Sequence, residues 1–440
     1  MTRKGRLRAW RSKLDATVHA DDGAPTLSID ACWLLDDGSL CIDGWCLTTA
    51  GKGGDLRVRE VRADGSAPWS TLFRKHRPDV VEHFFGVAAS PPGTANLGFL
   101  GRVAMSGATD VPVHLEFRND HETWRASVWA ILAEPVPEEA FQDLAIDPGT
   151  ITPSGIEPLA VVMQHSLPKP LPAATTAYEH ASVMKPAQVN IVVPVYGDFT
   201  YLRNLLLALA CAAPGQAEAS IVCDDPRIAD VLVTWTREWN DAVYAAPVRV
   251  LVHDRNGGFA SACNTGWQGS HCDRQLLLNS DVIVDSLAAD IAHLSDLLVD
   301  GVAAVAPVLL FPDGSLQHDG MVMEEPVHLP GFTLPGHPGK GQAPPERTRP
   351  FDVELLTGAA ILTTNSVLRA VGGVPQVFGR GDFEDVLLSV AMARHGRLIV
   401  DPGVRWTHVE GVSYDRDLHG GLPVTLAKSM VIADRLAAMS

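Results

Sequence analysis

VNIVVPVYG, residues 189–197, is a near-continuous β-branched run that ends in proline, tyrosine and glycine. Uninterrupted apolar residues of this kind belong to a strand buried on both faces, the habit of parallel sheets covered by helices. The next segment, FTYLRNLLLALACAA (199–213), spaces its leucines by three and four, as one face of a helix does. ASIVCDDP (219–226), VRVLVHD (248–254) and RQLLLNSDVIVD (274–285) repeat the strand pattern, with helical segments between them. Strand–helix alternation predicts an α/β fold over residues 187–440, a doubly wound and mostly parallel sheet whose ligands gather beyond the carboxyl ends of its strands.

Upstream the pattern changes. Residues 27–133 run in short alternating segments such as LSIDACWLL, LCIDGWCLT and LRVREVRA, punctuated by DDGS, TAGKGGD and DGSAP. Period-two patterning with Gly/Asp turns predicts a smaller β-rich accessory domain resembling an antiparallel β-sandwich. Trp33, Trp45 and Trp69 could stack on sugar rings there; filling a small core is the favoured reading. Residues 134–186 shift to Pro and Ala and read as a linker. Residues 1–26 form a basic tail in which Leu7, Trp10 and Leu14 could share a helix face among cations, suiting peripheral contact with an anionic membrane; a solvated tail is the alternative.

The composition limits the function classes. With 46% hydrophobic and 20% charged residues in 440, the chain reads as soluble and globular, with room for two or three domains. A formal charge of −17 argues against general nucleic-acid binding, because no broad basic surface is available to replace phosphate counterions. No apolar run reaches the length of about 18 residues that a membrane span needs, and the N-terminus lacks an apolar secretory core. The seven cysteines show neither a CxxC pair nor zinc spacing, so reduced thiols in a cytoplasmic protein are expected.

The strand ends carry the candidate chemistry. The first strand closes on Pro194 and Tyr196, the second on Asp224 and Asp225, and the fourth breaks its apolar run with Asn279, Ser280 and Asp281. Carboxylates converging on one rim repel each other unless a cation or donor groups compensate them, which is the physical case for a metal site. A hard divalent cation, Mg or Mn, takes carboxylate and diphosphate oxygens. Asp281 is the candidate direct ligand, Asn279 offers a neutral carbonyl or a water-mediated contact, and Asp224 or Asp225 could accept from a nucleobase imide or a ribose hydroxyl. A turn capping a strand would also explain Asn279–Asp281.

Two further segments matter. NGGFASACNTG (256–266) puts glycines where backbone would approach a ligand, so that Gly257 and Gly258 could offer N–H groups to a phosphate at a helix start; a plain turn is the alternative. It matches neither the dinucleotide nor the P-loop pattern. GRGDFEDVLLSVAMARHG (379–396) sets Asp382, Glu384 and Asp385 before an amphipathic helix. Acidic residues there complement the helix dipole, or, partly desolvated, one can take a proton from an alcohol. RWTHVEGVSYD (405–415) ends a strand at His408, which is either structural or the completion of a metal or diphosphate site.

Taken in order, VVPVYGD, CDDP, NGGFASACNTG, LLLNSDVIV, LLTGAAILTTNSVLRAVGGV, GDFEDVLLSVAMARHG and THVEGVSY resemble the family-2 glycosyltransferases with the GT-A fold, especially their bacterial rhamnosyltransferase-like branch, over residues 187–420. The resemblance implies inverting transfer from a UDP- or dTDP-linked nucleotide sugar to a glycan or lipid-linked acceptor, in the synthesis of cell-surface polysaccharide. Asn279 and Asp281 correspond to the N-x-D variant of the family's metal motif, with His408 as the downstream histidine that helps hold the diphosphate. Glu384 and Asp385 correspond to the E-D pair, Asp385 being the implied base. Asp224 and Asp225 match the nucleoside-binding acidic pair, and Leu356, Thr357 and Gly358 the segment lining the acceptor side. Pro194, Tyr196, Asn256, Gly258, Asn264 and Ser280 complete the expected donor side.

Two other classes compete. A non-catalytic sugar-binding protein would pair a degenerate transferase domain with a lectin-like sandwich, and the intact Glu384–Asp385 pair argues against it. A nucleotidyltransferase would need a lysine in an early Gly-rich loop, and VVPVYGD offers none. Residues 325–350, Pro/Gly-rich and aperiodic, read either as a lid over bound substrates or as a surface loop.

Overall fold

The structure is a computed structural model that describes residues 16–19, 25–47, 56–85, 97–107, 112–120, 122–134, 136–141, 144, 151–166, 171–180, 187–213, 215–378, 381–410 and 421–439. Residues 1–15, and with them the expected membrane contact of the basic tail, lie outside the described residues. Among the described residues no helix is long and apolar enough to cross a membrane. The chain divides into two units: Met1–Lys169 with Glu325–Thr333 and Asp415–Ser440, and Pro170–Glu324 with Leu334–Tyr414.

In the first unit the alternating segments form strands β1 (Ala16–His19), β2 (Pro25–Leu34), β3 (Leu40–Cys46), β4 (Arg57–Glu60), β5 (Ser70–Thr71), β6 (Phe73–Lys75), β7 (Gly98–Val103), β8 (Val113–Arg118) and β9 (Thr123–Val128). They make two antiparallel sheets, ordered β1-β2-β3-β7-β6 and β5-β4-β8-β9. One buried cluster takes Leu27, Ile42 and Phe99 from the first sheet and Val58, Leu115 and Phe117 from the second. The DDGS turn between β2 and β3 holds Gly38 at φ 78, a left-handed conformation that costs glycine nothing. Trp33 is fully buried, whereas Trp69 lies partly exposed with the Arg59 guanidinium 4.5 Å from its ring centre.

The Pro/Ala-rich stretch expected as a linker carries regular structure. Helix α1 (Pro78–Phe85) precedes it, and within it α2 (Pro153–His165) starts at an N-cap, Thr152, whose hydroxyl accepts from Gly155 N at 3.2 Å, with Pro153 in the first turn. Proline is tolerated there because the first-turn N–H has no intrahelical partner, so its density reads equally well as a helix start. Strand β10 (Ala174–Glu179) then joins the sheet of the second unit, antiparallel to the strand at 248–253.

The second unit continues with β11 (Val189–Val195), α3 (Leu202–Ala210), β12 (Ala217–Cys223), α4 (Ala229–Trp239), β13 (Val248–His253), α5 (Phe259–Gln268), β14 (Arg274–Leu278), β15 (Val282–Ile283), α6 (Leu287–Leu297) and β16 (Val302–Leu310). Short strands β17 (Leu316–His318), β18 (Val322–Glu324), β19 (Leu334–Gly336) and β20 (Phe351–Val353) follow, then β21 (Ala360–Thr364), α7 (Asn365–Val371), α8 (Glu384–Ala393) and β22 (Arg397–His408). The main path of the sheet is β10-β13-β12-β11-β14-β21-β16-β22-β15. Its core is the predicted one: β13, β12, β11 and β14 are mutually parallel. Helix α5 packs directly on β11 at Gly266, where a Cβ would collide with Val192.

The expectation of a mostly parallel sheet needs correction, because the second half is mixed. β21 pairs antiparallel with both β14 and β16, and β20 and β15 pair antiparallel with β22. Parallel neighbours need a crossover of a dozen or more residues, usually a helix. Between β16 and β21 the chain offers only short strands and Pro/Gly turns, so it returns antiparallel. In the stretch expected as a lid or loop, residues 341 and 342 are tied to β17 by Gly341 N to Leu316 O and Leu316 N to Gln342 O, both 2.7 Å. The last helix, α9 (Gly421–Met439), packs with α2 and belongs to the first unit rather than to the predicted 187–440 domain.

Candidate active site

Because β13, β12, β11 and β14 run parallel, their carboxyl ends share one rim. At the end of β14 the chain turns: Asn279 N donates to Ala359 O at 2.9 Å, and Val282 N to Asn279 O at 3.2 Å. The two residues of β15 pair with the end of β22, with Val282 opposite His408, and Val409 N reaches Asp281 O at 3.2 Å. This ladder sets the Asp281 carboxylate against the His408 ring, Oδ1 to Nε2, at 3.1 Å. Asn279 Nδ2 lies 3.4 Å from the same Nε2. Asp281 and His408 are both buried, while Asn279 and Ser280 remain partly exposed on the turn.

Glu384 and Asp385 open α8 after two non-glycine residues in left-handed backbone, Asp382 at φ 81 and Phe383 at φ 67. Such conformations cost about 1–3 kcal/mol each and persist only where their surroundings enforce them, often at functional sites. Asp385 is partly buried; its Oδ2 accepts from Gly358 N at 2.9 Å and its Oδ1 from Val386 N at 2.9 Å. Burial pushes its carboxyl above the ordinary carboxylate range, against donors that include these N–H groups and the Thr357 side chain. One turn on, Ser389 clasps Leu356, accepting from its N at 2.9 Å and donating to its O at 3.1 Å. Residues 356–359 therefore bridge the two halves of the site. Gly358 meets Asp385, and Ala359 meets Asn279.

Several of the expected donor-side residues hydrogen-bond within the chain. Gly257 N and Gly258 N, offered by sequence to a phosphate, both donate to Asp224 at 2.8 Å. A buried carboxylate at the end of β12 needs donors, and the loop supplies them; His253 Nδ1 adds a third contact at 2.7 Å. Asp224 thus closes the glycine loop. Asn256 Oδ1 accepts from Gly258 N at 2.9 Å within the same turn, and Gly258, at φ 86, caps α5. Asn264 is spent on packing, accepting from Val374 N and Trp267 Nε1 and donating to Val374 O, each at 2.8 Å. Asp225 holds Arg227 through both oxygens at 2.8 and 2.7 Å, and this pairing keeps its carboxyl below the usual range. The Arg227 guanidinium also lies 5.3 Å from the ring centre of Tyr196, and Tyr196 and Pro194 stay partly exposed at the end of β11.

Asp224→Ala should cost about 2 kcal/mol in urea unfolding, since it leaves the part-buried Gly257 N–H and the Nδ1 of buried His253 without this acceptor, while Gly258 N keeps Asn256 Oδ1. A loss below about 1 kcal/mol would mean that the loop does not depend on this carboxylate.

Sequence reasoning missed the residues behind His408. Gln317, on β17, puts Oε1 2.7 Å from His408 Nδ1, while its Nε2 lies 3.4 Å from His408 O and 3.2 Å from Glu410 Oε2. Lys340 pairs with the other oxygen of Glu410 at 2.9 Å. His318 is buried, receives Thr357 N at 3.4 Å on Nε2 and meets His337 Nδ1 at 3.2 Å. Burial holds both rings below the usual histidine range, His337 down to about 4 and His318 well below 6.5. The available signal was LQHDG (316–320), with Gln317 and His318 on a short strand and Asp319 just after it, following a wholly apolar strand.

Asp281 Oδ1 and His408 Nε2 lie 3.1 Å apart, a carboxylate oxygen and an imidazole nitrogen that could both hold a divalent cation; the imidazole favours Mn over Mg, which prefers oxygen ligands. Another grouping, Asp36, Asp37 and His165, lies in the first unit. Its oxygens are engaged within the chain, Asp36 by the His165 ring at 2.8 Å and Asp37 by Arg102 and Ser39.

No protein-family model and no curated protein matches the chain. Solved structures similar to it include the crystal structure of GalNAc-T7 with UDP, GalNAc and Mn2+, at 16% identity over 57% of this chain and a TM-score of 0.41. The chain spans 52% of the length of that protein. Mannosyltransferase PcManGT from Pyrobaculum calidifontis, in complex with GDP-Man and Mn2+, is similar at 14% identity over 69% of this chain and 88% of that one, with a TM-score of 0.38. At these identities and TM-scores neither likeness assigns this chain a substrate, a metal or a reaction.

Proposed function

We propose that the chain is an inverting, metal-dependent glycosyltransferase of the family-2, GT-A type, moving a sugar from a UDP- or dTDP-linked donor to a glycan or lipid-linked acceptor at the cytoplasmic side of cell-surface polysaccharide synthesis. One observation carries the reading. A carboxylate–imidazole pair and a partly buried, hydrogen-bonded carboxylate open onto one rim, joined through residues 356–359. That is the equipment for steadying a diphosphate on one side and activating a hydroxyl on the other.

Asp281 and His408 would hold Mg or Mn, which when bound neutralises charge gathering on the departing diphosphate. Asp385 takes the proton from the acceptor hydroxyl, and the Gly358 N–H and Thr357 keep its carboxylate aimed. The acceptor oxygen forms its bond to the anomeric carbon as the bond to the diphosphate oxygen breaks, and a single displacement inverts the centre. The nucleoside end is assigned to the rim at Tyr196 and Asp225, next to Arg227.

Incubating the purified chain with Mn2+ and a panel of nucleotide sugars tests the class, because a lectin releases no nucleotide. The pH profile tests the base. Asp385 is active only when ionised, and burial raises its pKa. So kcat/KM should fall on acidification with a midpoint above the ordinary carboxylate value of about 4. An acid limb at that ordinary value would count against Asp385.

A further inference from the structure

We propose that Gln317 is a positioning residue that fixes the His408 tautomer, presenting a bare Nε2 to the cation beside Asp281; this rests on the metal-dependent reading above. The argument begins with the amide orientation. One end of the Gln317 side chain faces two acceptors, His408 O at 3.4 Å and Glu410 Oε2 at 3.2 Å, so the NH2 must lie there. The opposite end is then the carbonyl oxygen, 2.7 Å from His408 Nδ1, and an acceptor at that distance requires Nδ1 to carry its hydrogen. In the neutral ring the lone pair is therefore on Nε2, the nitrogen 3.1 Å from Asp281 Oδ1. Two acceptors set face to face are mutually repulsive unless a cation or a proton lies between them.

The support reaches one residue further. Glu410 sits in left-handed backbone at φ 57, and its carboxylate takes Gln317 on one oxygen and Lys340 on the other. Lys340 thereby anchors Glu410, Glu410 orients the amide, and the amide orients the ring. Among the described residues the buried Gln317 side chain bonds only to His408 and Glu410, so the arrangement serves the histidine.

Two readouts test this. In the full-length chain carrying 15N-labelled histidine, the ring signal missing from His408→Gln should, at mildly alkaline pH, be that of an imidazole protonated on Nδ1. An Nε2-protonated ring in the wild type overturns the proposal, whatever any variant does. Mn2+ alone, titrated by electron paramagnetic resonance, should bind Gln317→Leu about 10- to 100-fold more weakly than wild type, the usual effect of removing an outer hydrogen-bond partner. The exchange Gln317→Glu with Glu410→Gln swaps donor for acceptor between the two side chains while leaving an acceptor on Nδ1, and should recover most of the affinity. Wild-type affinity in a folded Gln317→Leu, or no recovery in the exchange, overturns it. Asp281→Ala separates the two ideas. If that variant binds Mn2+ like wild type, the metal reading fails, and the tautomer measurement still judges Gln317 by itself.

Discussion

Asp385→Asn is expected to keep donor binding and to lose transfer by about 10²–10⁴-fold in kcat. The substitution preserves size and an acceptor oxygen for the Gly358 N–H, so the bridge to residues 356–359 can persist. What disappears is the ability to take a proton. The fold should tolerate it. Burial raises the Asp385 pKa, so this group contributes stability at low pH and loses it as pH rises through the folded-state value. At neutral pH the neutral amide avoids the cost of an ionised carboxylate but gives up the acceptor for Val386 N, so Tm should stay within a few degrees of the parent. Donor Kd by calorimetry and kcat by nucleotide release give the two numbers. Unchanged turnover would remove Asp385 from the role, while lost donor binding would make it a structural carboxylate.

The parallel half of the sheet was legible because its strands are apolar on both faces. Val189–Val195 and Ala217–Cys223 contain few polar residues, and runs of that kind have few other homes. The antiparallel half was harder to read. Ala360–Thr364 looks like any short apolar run, and nothing local says whether its neighbour arrives by a crossover or a return. Pairing direction depends on the length and helicity of a connection that wanders through residues 311–359. The same limit hid β10 and α2, since Pro and Ala are common to linkers, helix starts and edge strands.

For the site, position at the strand ends brought Asp281 and His408 forward, because polar groups at the ends of buried strands must find partners, and Asp385 stood out as an acidic residue opening a helix. It could not rank the partners. Asp224 and Asp281 look alike in sequence, each an acidic residue after an apolar strand. Yet the first closes its own glycine loop and the second faces an imidazole. The difference lies in geometry between strands far apart in the chain: Asp224 meets Gly258, while Asp281 meets a residue 127 positions away. Gln317 went unnoticed for the same reason, its significance arising only from a contact 91 positions off.

The unequal weights of Asn279 and Asp281 make the second large prediction. A carboxylate contributes a full charge to a bound divalent cation, whereas an amide contributes a dipole, and the gap widens where water is excluded. Asp281 is buried against His408, and Asn279 stays partly exposed at 3.4 Å from the same ring. Asp281→Ala should abolish measurable Mn2+ binding and reduce kcat by about 10³-fold, in line with removing a principal source of charge stabilisation. Asn279→Ala should weaken Mn2+ by about 10-fold or less, because water can take the place of an amide contact and the Ala359 bond is made by backbone. Mn2+ titration and nucleotide release on both variants supply the comparison. Equal losses would place the cation between the two side chains rather than on the Asp281–His408 pair, and a larger loss from Asn279 would reverse the assignment.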